Sequence, residues 1–237
     1  MRLDKFLSET NTLSRKDAKA AIKSGLITVN GIPATDSSVN ISEEIDEIRY
    51  KNRIIPYLKN ITYALNKPAG YVCSLNEADG IPVHNLLPPE LRKRLNPIGR
   101  LDKNTTGLLL FTDDGDLAHS LLSPKNHVEK TYLVNTLKPV TDEDKNRLKD
   151  GVNLGDGEVS LPAKIMSGKD DFEIILTICE GKYHQVKRMM QATCNKVTAL
   201  KRISFGGLTL ENMKLNEGEG KILSEAELSE LRLKGSK

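Results

Sequence analysis

The sequence predicts an α+β fold in two units: a small helical one with a hairpin, residues 1–59, and a larger one, residues 60–237, built on a mixed, mainly antiparallel sheet. Three observations carry that expectation. Strand-like and helix-like segments occur together but do not alternate strictly, as a doubly wound parallel sheet would require. A chain of 237 residues is long enough for two cores of unequal size. Residues 57–61 follow Pro56 and read as a linker.

In the first unit, residues 2–8 form a helix with Leu3, Phe6 and Leu7 on one side. Ser14 is a suitable N-cap, with Asp17 three residues later as a variant of the capping box. The helix it opens runs over residues 15–24 and ends at Gly25, which suits a left-handed cap. Ala18, Ala21 and Ile22 fall at i, i+3 and i+4 and face inward, whereas Arg15, Lys19 and Lys23 line another face. Residues 26–29 read as a strand closed by Asn30-Gly31, a strong hairpin signal.

In the larger unit, strands are expected at residues 62–65, 108–111, 130–134, 172–178 and 197–203. Helices are expected at residues 90–95, 117–122, 142–150 and 184–192. Asp113-Asp114-Gly115-Asp116 reads as a turn with Asp116 as N-cap, because the run lacks the glutamate that closes a calcium loop. The tail, residues 234–237, is expected to fray.

The 38% hydrophobic and 28% charged fractions are those of a soluble globular protein. No apolar run approaches the roughly 20 residues needed to cross a bilayer, and the N-terminus lacks a signal-peptide core. The reading is therefore cytoplasmic, with no membrane partner. Cys73, Cys179 and Cys194 are odd in number and far apart, which favours neither a disulfide framework nor a zinc site. The four histidines are scattered, so no metal is expected, and no phosphate-binding glycine motif is present.

A net charge of +3 says little about a polyanionic partner, but its distribution says more. Arg2, Lys5, Arg15, Lys16, Lys19 and Lys23 crowd the first helices, and Glu43, Glu44, Asp46 and Glu47 follow together. The separation suggests one basic and one acidic face. The basic face is either a solvated helix surface or a set of phosphate contacts.

The most informative stretch is Gly99-Arg100-Leu101-Asp102-Lys103-Asn104-Thr105-Thr106-Gly107, which feeds the apolar strand over residues 108–111. It sets one carboxylate between two cations on a loop anchored to a strand, where a scaffold displays reactive groups. Such a carboxylate suits a nucleophile or a charge stabiliser, and a surface aspartate in a turn is the plain alternative.

This run resembles the signature of the pseudouridine synthases that carry an N-terminal S4 module, those of the small ribosomal subunit in particular. The likeness covers nearly the whole chain. It includes Met1-Arg2-Leu3-Asp4-Lys5-Phe6-Leu7, then Leu65-Asn66-Lys67-Pro68-Ala69-Gly70-Tyr71-Val72-Cys73-Ser74. It continues with Glu129-Lys130-Thr131-Tyr132-Leu133-Val134 and Glu180-Gly181-Lys182-Tyr183-His184-Gln185-Val186-Lys187-Arg188-Met189. Each piece is weak alone, but five in the family's order are specific.

The resemblance implies an S4-like RNA-binding unit over residues 1–59 and a catalytic unit over residues 60–237. It implies isomerisation of a uridine within RNA: the bond from ribose to N1 breaks, the base turns, and a bond to C5 forms. Asp102 would be the catalytic aspartate, with the atom it attacks left open. Lys187 would pair with it, although Arg188 is adjacent and also basic, and Val186 would form an apolar wall. Tyr132, which strand alternation sets on one face with Lys130, would pack on the target uracil. Arg100 would enter the gap left by the flipped base. Lys67 is expected to support a turn or contact RNA, and His184 to be structural. The S4 likeness makes Arg2, Lys5, Arg15, Lys16, Lys19 and Lys23 RNA contacts. No cofactor is implied, since substrate and product are isomers. The implied partner is ribosomal RNA, of 16S type or in a small-subunit assembly intermediate, met by a monomer. The alternatives are a related enzyme acting on 23S rRNA and a non-catalytic RNA-binding assembly factor.

Overall fold

The computed structural model describes residues 1–10, 12–57 and 60–233. Two residues of the expected linker, 58 and 59, and the tail, 234–237, lie outside the described residues. Contacts divide the chain into two units. The first comprises Met1–Asn60 together with Pro88–Arg94, and the second comprises Ile61–Leu87 and everything from Leu95 onward.

The first unit packs α1 (Leu3–Glu9) and α2 (Arg15–Lys23) against a small antiparallel sheet. Its strands are β1 (Ile27–Val29), β2 (Ile32–Pro33), β3 (Ile48–Tyr50) and β4 (Arg53–Ile54). Ser14 caps α2 by accepting from the Asp17 N–H, as the sequence suggests. Ala18, Ala21 and Ile22 are buried with Leu3, Phe6 and Leu7 in one core. At the turn between β1 and β2, Asn30 and Gly31 both hold positive φ, of 52° and 80°. That backbone matches the twist of a two-residue hairpin, and only asparagine and glycine adopt it cheaply.

The second unit is organised by a sheet of nine strands. It begins with β5 (Thr62–Lys67), and the pair β6 (Tyr71–Val72) and β7 (Ile81–Pro82) lies off it. β8 (Asn96–Pro97) leads to β9 (Thr106–Thr112), then α3 (Gly115–Leu122) and β10 (Lys130–Thr136). α4 (Asp142–Asp150) precedes the small hairpin of β11 (Asn153–Gly155) and β12 (Glu158–Val159). β13 (Lys164–Ser167), β14 (Glu173–Ile178), α5 (Gln185–Ala192) and β15 (Val197–Phe205) follow. The chain closes with β16 (Leu208–Thr209), α6 (Leu210–Met213), β17 (Gly220–Ile222) and α7 (Glu225–Leu233). The main path runs β13-β14-β10-β15-β9-β5-β17, and every neighbouring pair along it is antiparallel except β15 with β9. The strands β5 and β9 are buried on both faces, which explains the continuous apolar run of β9 over residues 108–111. One face of this centre packs Leu108 and Leu110 with Leu117 and Leu121 of α3 and Leu228 and Leu231 of α7.

The strands expected at residues 62–65, 108–111, 130–134, 172–178 and 197–203 are all present, most of them longer by one to three residues. Two expectations fail. Residues 90–95 form no helix; they make successive turns closed by the Leu91 N–H to Pro88 and the Arg94 N–H to Leu91. Those turns bury Leu91 and Leu95 as a helix would. The N-cap of α3 is Asp114, not Asp116: its carboxylate accepts from the Leu117 N–H at 2.9 Å. The sequence reading also missed α7, whose start is fixed by Ser224 and Glu227 bonding each other's backbone N–H groups.

Candidate active site

A cleft of about 470 Å³ lies in the second unit. Its walls are the loop that precedes β9, the strands β10 and β15, and the first turn of α5. Asp102 stands on the loop, with 27% of its side chain exposed. Lys187 donates from Nζ to Asp102 Oδ2 at 2.5 Å, and His184 Nε2 lies 3.3 Å from Oδ1. One carboxylate oxygen thus accepts from Lys187, and the imidazole stands beside the other. His184 is the N-cap of α5 in a left-handed conformation, φ 47°. It and Lys187 are three residues apart, so they share one side of the first turn.

Arg188 points elsewhere, because adjacent helical residues diverge by about 100°. Its Nη1 donates to Glu158 Oε2 at 2.6 Å and its Nε to the Leu154 carbonyl at 2.9 Å. It thus latches α5 onto the hairpin of β11 and β12.

The Asp102 loop is clamped from β5. Lys67 is fully buried, and its ammonium donates to the carbonyls of Pro68, Asp102, Lys103 and Thr105 at 2.9–3.2 Å. Burial lowers its pKa, offset in part by Cys73 and then by Asp102. The Gly70 N–H donates to the Lys103 carbonyl at 2.9 Å, and the Leu101 N–H to Cys73 Sγ at 3.4 Å. Gly107 allows the loop to enter the sheet: at φ 103°, an added Cβ would stand 2.2 Å from the Arg202 carbonyl oxygen.

The description "RNA pseudouridylate synthase" matches residues 61–192, more than half of the chain, and "S4 domain" matches residues 1–46. The chain is 41% identical to a ribosomal small subunit pseudouridine synthase A of Haemophilus influenzae, over 98% of this chain and 99% of that one. The chain belongs to the RNA pseudouridylate synthase family. It is also 41% identical to an uncharacterized RNA pseudouridine synthase of Bacillus subtilis, over 96% of this chain and 97% of that one. A crystal structure of a pseudouridylate synthase superposes with a TM-score of 0.68 at 40% identity, covering 98% of this chain and 99% of that one. The protein is an RNA pseudouridine synthase with an N-terminal S4 domain, as the resemblance implies.

Within this synthase, Asp102, Lys187, Tyr132 and Val186 line one cleft, and Arg100 lines it as an exposed residue. Tyr132 and Val186 are buried in its wall. Lys67, expected to support a turn or contact RNA, is fully buried, and its ammonium holds the Asp102 loop. His184, read as structural, touches Asp102 directly. Its signal was available, since it stands three residues before Lys187.

In the first unit, Arg2, Lys5, Arg15, Lys16, Lys19 and Lys23 all line one groove. Arg2 is paired through two bonds with Asp4, and this hydrogen bonding holds the Asp4 carboxyl below its usual range. Lys5 lies 3.5 Å from Glu9. Arg15, Lys16, Lys19 and Lys23 pair with no carboxylate among the described residues. Two further residues of the cleft, Lys130 and Arg202, carry charge that the sequence reading did not assign. Among the described residues, no three metal-ligating side chains converge, and no helix is long and apolar enough to cross a membrane.

Proposed function

We propose that this synthase converts one uridine of small-subunit ribosomal RNA to pseudouridine, with Asp102 as the catalytic carboxylate. The observation that carries the reading is the oriented carboxylate: Asp102 accepts from Lys187, with His184 beside it, in a cleft walled by Tyr132. Its support for the substrate is the name borne by the Haemophilus influenzae relative, matched over almost the full length of both chains.

The target base leaves its stack to reach the cleft. Arg100, exposed there, enters the vacated place in the helix. Tyr132 offers its ring to the uracil, and Lys187 orients the carboxylate. The basic groove of residues 1–59 holds phosphates without reading sequence, while residues 60–237 carry the reaction, and the protein works as a cytoplasmic monomer.

The test is to map pseudouridines across ribosomal RNA in a strain lacking this gene, and again after complementation with the wild type or with Asp102→Asn. One site missing from 16S rRNA, restored only by the wild type, is the expected result. A missing site in 23S rRNA would reassign the substrate, and an unchanged map would leave an RNA-binding assembly role.

A further inference from the structure

Lys130 on β10 and Arg202 on β15 bring two positive charges into the cleft, and neither forms an ion pair with a carboxylate among the described residues. The two residues are 6% and 3% exposed. Their placement depends on an irregularity in the strand pairing. Thr131 pairs with Ser204 and Tyr132 with Arg202, so Ile203 is skipped. A bulge of this kind re-aims side chains. Regular alternation would put Arg202 and Phe205 on opposite faces, yet both line the cleft.

The Phe205 ring lies 5.0 Å from the Arg202 guanidinium and 5.4 Å from Lys130 Nζ. Arg202 Nε donates to the Leu108 carbonyl at 2.6 Å, which fixes the guanidinium plane, but the buried Nη2 has no partner. The Lys130 ammonium has neither a hydrogen bond nor an ion pair among the described residues. Nearby carboxylates are committed: Glu180 to Gln185, Leu161 N–H and Lys182, Glu129 to Lys164, and Asp102 to Lys187 and His184. Burial, and then the neighbouring Arg202, push the Lys130 pKa down to about 8, so at neutral pH the ammonium is still mostly charged. Two buried like charges without a counter-ion are unfavourable in the free protein, and they mark a place prepared for negative charge.

We infer that Lys130 and Arg202 receive the negative charge carried by the uracil once its bond to ribose has broken. The inference rests on the isomerase reading above. The C1′–N1 electron pair leaves with the base and spreads over N1 and the carbonyl oxygens O2 and O4. It returns as the C1′–C5 bond, after which the proton on C5 is lost and N1 takes one up. The charge exists only between those steps. Cations set in place beforehand therefore favour the detached base over the bound substrate, which is how preorganised charge accelerates a reaction.

The experiment compares wild type, Lys130→Met and Lys130→Arg on a small-subunit rRNA transcript, by single turnover at saturating enzyme and by binding titrations across salt. Lys130→Met should lower the saturated rate about a hundredfold, in the range known for removal of one charge-stabilising donor. Its affinity should stay within about threefold and its salt slope should not change, because every phosphate keeps its cation. Lys130→Arg should recover most of the rate, and the fall in wild-type rate above about pH 8 should disappear in it. A thermal melt shows that each variant is folded. A Lys130→Met rate within about threefold of wild type overturns the inference. So does full rate at saturation with weaker binding and a salt slope flatter by about one unit, which would mean that the pair holds a backbone phosphate. The parallel wild type separates the two readings: a transcript it leaves unconverted counts against the assigned substrate, whereas conversion by an unimpaired variant counts against the charge-receiving pair.

Discussion

Lys67 and Thr105 are joined inside the protein: the buried ammonium donates to the Thr105 carbonyl at 2.9 Å across 38 residues of sequence. The same ammonium reaches three more carbonyls, among them that of Asp102. The strand β5 thereby fixes the backbone on which the candidate catalytic carboxylate stands.

Replacing Lys67 with methionine should keep the packing volume but leave four carbonyls without their donor. The expected cost is about 2–4 kcal/mol, since hydrogen bonds to charged groups are the stronger ones and unmet buried acceptors are penalised. Turnover should fall with stability, while RNA affinity holds. Denaturant unfolding beside a binding titration checks this. An unchanged unfolding midpoint with a weakened RNA affinity would restore Lys67 as an RNA contact.

Asp102→Asn should abolish conversion while leaving RNA binding largely intact, because the amide keeps the shape and removes the charge. A product rate above about a hundredth of wild type, with no deamidation back to aspartate, would remove Asp102 from the reaction.

Lys187→Met and Arg188→Met should separate activity from stability. Lys187 touches Asp102, so its loss should cut the single-turnover rate severely with little change in the melting temperature. Arg188 latches the hairpin of β11 and β12, so its loss should cost about 1–2 kcal/mol of stability and spare most of the rate. The reverse order of rates would reassign the partner of Asp102.

Lys130 gives a stability prediction with a definite sign. Its pKa is lowered from 10.5 to about 8 in the folded protein. Below about pH 8 both folded and unfolded chains carry the charge, and the fold bears the full desolvation penalty. Between about 8 and 10.5 the unfolded chain binds more protons, so this group's contribution makes stability rise with pH. Lys130→Met should therefore be more stable than wild type at neutral pH, with the advantage shrinking toward pH 10.5. Urea midpoints at several pH values decide it, and a variant less stable at pH 7 contradicts it.

Neutralising Lys16, Lys19 and Lys23 together with glutamine should weaken RNA binding and reduce its salt slope by about one unit for each phosphate left without its lysine. The saturated rate should remain, because every residue assigned to the chemistry lies in the second unit. A salt slope equal to wild type would mean that this helix face is merely solvated.

What the sequence determined by itself was local. Caps at Ser14 and Gly25, the Asn30-Gly31 turn, and the alternation of residues 130–134 are set by neighbours a few positions apart, and they gave the two units and the sheet strands. The family signature drew attention to Asp102, Tyr132, Lys187 and Arg100, which all line one cleft. Tertiary structure decided the rest, because burial and pairing depend on segments far apart in the chain. Lys67 and Arg100 are both cations beside turn residues, and nothing local says that one is sealed under a loop while the other is exposed. Lys187 rather than Arg188 meets Asp102, across 85 residues, because the left-handed turn at His184 sets the rotation of α5. Arg202 enters the cleft only because β15 skips one residue in its register against β10, and no period within β15 alone encodes a bulge made by two strands.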